Sequence, residues 1–395
     1  MIKNAENKFR LGEVATEIKA GFSCGKFELD KGDIPHLRPM NIDNDCNLTW
    51  EGTKYISLDF FKDKVDYSLK KGDILFNNTN STEWVGKSCY ISNDYECGFS
   101  NHMTRIRVNE KIADSYYLSQ LLFGMWKNRV LESYCHKWVN QSGINTEILS
   151  NIPILLPSLD EQARLVELFQ SIEQSIVRAQ AQEGNLKALR KKLSNGLASQ
   201  KPAFGNLLSS KNCQPRKFAN LADCIEQHDK TPLENGIARF VGLENIQAES
   251  FQIQGWGNIA EGTTFTKRFA KGDVLFGKRR AYLKKIAVAD FDGICSSDIL
   301  VLRAKTETIL PELLPYYASS DAFINHAIST SAGSLSPRTK WRDLAELALS
   351  VPEMQAQKKI VGVFQQIETT LAQLRAQTHT LKTLKQKLLN EILGG

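Results

Sequence analysis

LVELFQSIEQSIVRAQAQEGNLKALRKKLSNGLAS, residues 165–199, has a near copy in IVGVFQQIETTLAQLRAQTHTLKTLKQKLLNEILGG, residues 360–395. Aligned without a gap, Leu165, Ile172, Ala179, Leu186 and Leu193 stand opposite Ile360, Ile367, Leu374, Leu381 and Leu388. Each set recurs every seven residues, the spacing that keeps an apolar seam on one side of a coiled-coil helix. A second seam sets Phe169, Ile176, Leu189 and Leu197 opposite Phe364, Leu371, Leu384 and Ile392. Polar positions agree too, in LKALRKKLSN against LKTLKQKLLN. Two helices in one register are a duplication, and both seams are predicted to pair them.

Working outward, the stretches before each helix also match. FRLGEVATEI (9–18) corresponds to KFANLADCI (217–225), and HLRPMNID (36–43) to FVGLENIQ (240–247). KKGDILF (70–76) and AKGDVLF (270–276) are nearly identical. Each reads as a turn with its Gly at positive φ, followed by the start of a strand. A polar loop, a strand pair, an aromatic-rich helical stretch and a Gly-bearing loop follow in both halves. Pro157 and Pro352 then precede the long helices, where a missing N–H costs nothing. Ser158 and Glu161 make a capping box at the first start, whereas the second, SVPEMQAQ, lacks a good N-cap.

The order is therefore module, helix, module, helix: residues 1–157, 158–200, 201–352 and 353–395. The stretch 201–215, KPAFGNLLSSKNCQP, has linker composition. Strands and helices mix without strict alternation, so each module is predicted to be α+β. If each module brings its ends together, the helices run antiparallel as a coiled coil. About 40 residues at a rise of ~1.5 Å give a rod of ~60 Å between two similar modules related by a pseudo-two-fold. Such a rod predicts two readers of a bipartite target with an unread spacer, since one turn of B-DNA is ~34–36 Å. A duplicated adaptor that binds two copies of a protein fits the duplication equally well.

With 42% hydrophobic and 24% charged residues in a chain of 395, the composition is globular rather than disordered. No signal-peptide core and no apolar run of membrane-spanning length occurs, so a cytoplasmic protein that spans no membrane is expected. Eight cysteines lack any CxxC pair. Cys89, Cys97, His102, Cys135 and His136 are the nearest approach to a zinc set, but their spacing favours unpaired thiols. The net charge of +6 is mild, so distribution decides.

Local chemistry favours nucleic acid. After GDVLF comes GKRRAYLKK, in which Lys278, Arg279, Arg280, Lys284 and Lys285 surround Tyr282. Cations in a loop suit phosphates, and arginine can also bond guanine bidentately. A solvated basic turn is the competing reading. The matching place in the first module is NNTNSTEWVGK, which offers Asn77, Asn78, Asn80, Thr82, Trp84 and Lys87. Asparagine pairs a donor and an acceptor with adenine, and tryptophan can stack or wedge; an ordinary Asn-rich turn competes here. Lys137 and Asn140 in HKWVNQSG, with Arg338 and Lys340 in SLSPRTK, are candidates for backbone phosphate contact. GxxxxGK[ST], GxGxxG, HExxH and GxSxG are all missing, as is an NPPY-like stretch for a flipped adenine. Asp73 and Asp273 read as turn residues rather than metal ligands. No catalytic or metal-ligating residue is assigned.

The paired GDILF and GDVLF turns, the joins IPILLPSLDEQARLVELFQSIE and LALSVPEMQAQKKIVGVFQQIE, and the LKxLxxKLxN helix ends give the chain a family likeness. Over its whole length it resembles the specificity (S) subunit of type I restriction–modification systems. The resemblance implies a non-catalytic subunit whose two recognition domains each read half of an asymmetric site in double-stranded DNA. It also implies that the helices set the spacer and dock two methyltransferase (M) subunits. S-adenosylmethionine would then belong to M, ATP and Mg to the restriction (R) subunits, and no cofactor to this chain. SVPEMQAQ departs from the Leu-x-Glu-Gln of the first join, which leaves the second helix start and its contacts to M less secure.

Overall fold

The structure, a computed structural model, describes residues 7–139, 141–199, 201–205, 207–208 and 212–393. It divides into two compact units, Met1–Ala179 with Gln377–Gly395, and Gln180–Ala376. The division falls inside both long helices, Leu159–Ala198 and Met354–Ile392. The 201–215 stretch does not mark it. Phe204 and Leu208 from that stretch are buried in the core of the second unit. Ala203 donates its N–H to the carbonyl of Gly196, and a Cβ on Gly196 would lie 1.9 Å from the Ala203 oxygen. Glycine is there because the chain doubles back against the helix.

Each unit repeats the same sheets. In the first, Ala15–Ala20, Met103–Val108, Ile74–Asn77 and Ser88–Tyr90 form an antiparallel sheet in that order. In the second, Ala222–Cys224, Ile299–Ala304, Val274–Gly277 and Ile286–Val288 do the same. The strand behind each Lys-Gly-Asp turn thus lies second from the edge and is buried along its length. Gly72 and Gly272 both have φ of 94°, as the turns require. Asp73 accepts the Lys70 N–H and binds Arg107; Asp273 accepts the Ala270 N–H and binds Arg303. Both carboxylates close turns.

The long helices are packed onto the modules as well as onto each other. In the first unit Leu165, Phe169, Ile172 and Ile176 share a core with Leu388, Leu389 and Ile392. In the second, Leu197 is buried with Ile360, Phe364, Ile367 and Leu371, with Leu186 and Leu193 packed alongside. Within each unit the start of one helix therefore meets the end of the other, an antiparallel pairing. Phe364 also stacks on Tyr316 at 3.6 Å between ring centres. Phe169 and Phe364 are no more than 1% exposed, and full burial of such a ring contributes ~1.5–3 kcal/mol.

Leu189 and Leu384 correct the sequence reading of the second seam. They are 44% and 48% exposed. Sevens counted from Phe169 and Ile176 reach Glu183, Arg190 and Leu197; sevens from Phe364 and Leu371 reach Thr378, Lys385 and Ile392. Leu189 and Leu384 stand one residue, hence ~100° of helix rotation, off that seam. Its inward positions belong to Arg190, which is 5% exposed, and Lys385. Each cation meets a carboxylate of the other helix: Arg190 Nη1 lies 3.0 Å from Glu368 Oε1, and Lys385 Nζ lies 2.6 Å from Glu173 Oε1. The Tyr116 hydroxyl donates to Glu173 at 2.5 Å and the Tyr316 hydroxyl to Glu368 at 3.4 Å.

A second device fixes both helix starts. Gln162 donates to the Pro157 carbonyl at 2.9 Å and accepts the Asp114 N–H at 2.8 Å. Gln357 donates to the Pro352 carbonyl at 2.9 Å and accepts the Leu310 N–H at 2.8 Å. The second start is therefore as firmly tied as the first, because glutamine survives where the surrounding motif does not. Ser158 caps the first start from Glu161 N at 3.3 Å.

Candidate nucleic-acid interface

In the first unit, the strand Ile74–Asn77 runs into Thr79–Asn80, which pairs with Ser142–Gly143; that strand pairs in turn with His136–Lys137. Two loops singled out in the sequence are thereby brought together. Thr82 Oγ1 meets Ser142 Oγ at 2.7 Å across the junction. Lys137 is exposed, and beside it Trp138 is 62% and Val139 98% exposed. Asn80 and Thr82 are half-buried at the same place. Asn140 lies outside the described residues.

Three residues of this set are supports rather than contacts. Asn77 is 1% exposed and donates to the Trp84 carbonyl at 2.8 Å. Asn78 is 7% exposed and donates to the Asn101 carbonyl and to Thr104 Oγ1. The strand carries both amides inward, where they tie down the loop. Lys87 is also buried; its Nζ bonds Asn44 Oδ1 at 3.2 Å and lies 4.8 Å from the centre of the Trp84 ring. Burial pushes the Lys87 ammonium below its ordinary pKa. Trp84 itself stacks on Trp126 at 6.1 Å, so a large ring is held half-exposed by a second one. Trp138 is the residue that motif reading undervalued. A tryptophan in a polar, Gly-bearing loop was its signal.

In the second unit the same two places converge. Arg279 bridges to Arg338, Lys278 N bonds the Asp298 carbonyl, and Arg280 N bonds the Pro337 carbonyl at 2.8 Å. Arg279 donates to Ser336 Oγ at 3.0 Å, and Arg280 reaches the Leu335 carbonyl at 3.4 Å. Arg280 adopts the left-handed conformation with φ of 54°, which turns its side chain out of the loop. Tyr282 is 51% and Leu335 88% exposed, with Lys340 exposed nearby in sequence. Arg338 holds Asp298 with two contacts, 2.7 and 3.3 Å, and these hydrogen bonds keep the Asp298 carboxyl below the usual carboxylate range. Lys278, Arg279, Arg280 and Lys340 therefore form a cationic surface that Asp298 neutralises only in part.

Two lysines of the basic run face elsewhere. Lys285 Nζ bonds the Leu243 carbonyl at 2.6 Å, and Lys284 Nζ pairs with Asp321 at 3.6 Å. A turn with positive φ at Lys284 separates them from the arginines. Among the described residues no three His, Cys, Asp or Glu side chains are grouped to hold a metal ion. Cys89 is buried in an apolar cluster, where burial pushes its thiol far up. No helix of the described residues is long and apolar enough to cross a membrane.

Comparison with known proteins gives this architecture a family. The model of the "Type I restriction modification DNA specificity domain" matches residues 4–185 and 228–383. The type I restriction enzyme EcoDI specificity subunit of Escherichia coli is 26% identical over 185 residues, which cover 45% of this chain and 41% of that protein. The putative type I restriction enzyme MjaX specificity subunit of Methanocaldococcus jannaschii is 22% identical over 410 aligned residues, covering 98% of this chain and 92% of its own length. Among solved structures, the S subunit of a type I system from M. genitalium shares the fold with a TM-score of 0.58 at 12% identity, over 99% of this chain and 97% of that one. A chain from a structure of type I R-M complex assembly and conformational transition has a TM-score of 0.57 at 16% identity, over 99% of both.

Proposed function

The chain belongs to the family of type I restriction–modification DNA specificity domains, and on that premise we propose how its residues divide the work. It is a DNA sequence-specificity subunit and supplies no catalysis of its own. Residues 1–157 and 201–352 are two recognition domains, each reading one half of a bipartite site. Residues 158–200 and 353–395 set the unread spacer and dock two methyltransferase subunits, which bring S-adenosylmethionine and methylate adenine.

One observation supports this most directly. Each unit joins the loop behind its Lys-Gly-Asp strand to the Gly-bearing loop before its long helix, by β6-like pairing of Thr79–Asn80 in one and by the Arg279–Arg338 bridge in the other. The frame is shared while the chemistry presented is not. Trp84, Trp138, Asn80 and Lys137 offer rings and amide groups, whereas Arg279, Arg280 and Tyr282 offer guanidinium groups and a phenol. Guanidinium suits phosphates and guanine edges; amides suit adenine, and exposed rings can stack or wedge. A common scaffold with divergent tips is what two readers of different half-sites need.

Mapping methylated adenines in cells with and without the gene tests the proposal. A bipartite motif that disappears on deletion is the expected result. Purified chain should also bind DNA with log K falling linearly in log salt, as counterion release demands. Salt-independent or absent DNA binding would leave the duplicated protein adaptor as the surviving reading.

A further inference from the structure

The corner where each module meets its long helices is built twice, yet it is filled only once. Tyr116, Glu173 and Lys385 in the first unit correspond to Tyr316, Glu368 and Arg190 in the second. In the second unit Phe251 completes the corner: its ring meets Tyr316 edge-on at 5.2 Å, and Arg190 lies over it at 4.6 Å. Only about 30 Å³ of space remains there. Cys46 holds the matching position in the first unit. Each residue sits two places before the end of an equivalent bridge, Ile42–Leu48 or Ile246–Ile253. Each is a left-handed non-glycine residue, with φ of 61° at Cys46 and 59° at Phe251. With a thiol in place of a ring, the first unit keeps a cavity of about 360 Å³.

The walls of that cavity have a definite chemistry. Trp50, Tyr90, Tyr95, Tyr116 and Phe123 give it aromatic faces, and Gln120 lines it as well. Gln120 is 7% exposed and its Oε1 accepts no hydrogen bond, although a buried acceptor without a partner costs ~1–3 kcal/mol. Lys385, lacking the ring that Arg190 covers, lies over Phe123 at 4.9 Å while bonded to Glu173.

We propose that this cavity is a binding site for a planar aromatic ring bearing an N–H donor, as indole does. The ring takes the place that Phe251 fills in the second unit, its N–H donates to Gln120 Oε1, and its face receives the Lys385 ammonium. The site is separate from the DNA-reading loops, and its test does not depend on them.

Indole and 1-methylindole, titrated calorimetrically into the full chain, provide the test. Indole should bind saturably and at least fivefold more tightly than 1-methylindole, which has no N–H. Cys46→Phe should weaken indole at least tenfold by supplying the missing plug. Gln120→Leu, which leaves the space open, should abolish the preference for indole over its methylated form and keeps the test decisive should Cys46→Phe fold poorly. No saturable binding, equal binding of the two probes by the parent chain, or a preference that survives Gln120→Leu would each overturn the assignment. A Gly-Trp-Gly peptide distinguishes the ring's source: binding matching that of indole assigns the site to a polypeptide's tryptophan, and binding of indole alone assigns it to a free small molecule.

Discussion

Arg280 and Asp298 set opposite limits on what the basic loop of the second unit can do. Arg280 is exposed and is held by a weak contact to one carbonyl, so its guanidinium is free to find a new partner. Replacing it with alanine should cost ~1–3 kcal/mol at one half-site if it reads a base, or reduce the salt slope by ~1 if it meets a phosphate. The other half-site should be unchanged, as gel-shift competition with each half altered would read directly. Asp298 acts in the opposite sense. Its depressed pKa means that the Arg338 contact stabilises the fold at and above the ordinary carboxylate range, and is lost only as pH falls through the lowered value. The pair thus stays ionised near neutrality. Asp298→Asn should strengthen DNA binding and steepen its salt slope by ~1, because a carboxylate that competes with phosphate is gone. Weaker binding would mean that Asp298 is needed to shape the loop. The types of residue at these tips were legible in the sequence, but their directions were not. Asn77 and Asn78 extend a strand whose every side chain is buried, and Lys285 finds a carbonyl from a distant loop. Those partners are set by tertiary packing, which local composition does not encode.

At the scale of the element, the long helices were readable as a duplication but not in full register. Heptads of Leu and Ile are conspicuous, so Leu189 and Leu384 were drawn into a seam from which they deviate by a residue. The actual seam continues through charged side chains, where apolar counting has nothing to detect. Arg190 with Glu368, and Lys385 with Glu173, fix which turn of one helix faces which turn of the other. An ion pair of this kind adds specificity more than stability, since desolvation offsets much of the attraction. Removing one partner is different. Arg190→Ala should destabilise the second unit toward the lower end of the ~3–5 kcal/mol seen for broken buried pairs, because Glu368 remains about a third exposed. Leu189→Glu, one residue away, should change stability by no more than ~0.5 kcal/mol. Thermal or urea unfolding of the two variants measures both. Equal losses would restore Leu189 to the seam. The glutamines at the helix starts carry the same lesson: the LDEQ and MQAQ motifs look unlike, yet the position that makes the hydrogen bonds, Gln162 or Gln357, is kept.

For the whole molecule, the duplication makes the sharpest demand. Both units build one scaffold from sequences that differ at the loop tips, and each unit takes its core from its own module together with segments of both helices. A module can therefore be replaced without dismantling the other, provided the residues that meet the helices are kept. In the first module these include Tyr116, which bonds Glu173, and Asn128, which bonds Asn390 at 3.0 Å. Exchanging residues 1–157 for the matching module of a related specificity subunit, with those contacts preserved, should change one half of the methylated motif. The other half and the spacer length should remain as before, because residues 201–352 and both helices are untouched. Sequencing methylated adenines in cells that express the hybrid with its methyltransferase partner reads all three features at once. A change in both halves would mean that the modules read DNA jointly, and the two-reader proposal would then fail. A change in spacer alone would transfer the ruler from the helices to the module. Only a change confined to one half agrees with loops that share a frame and differ in chemistry.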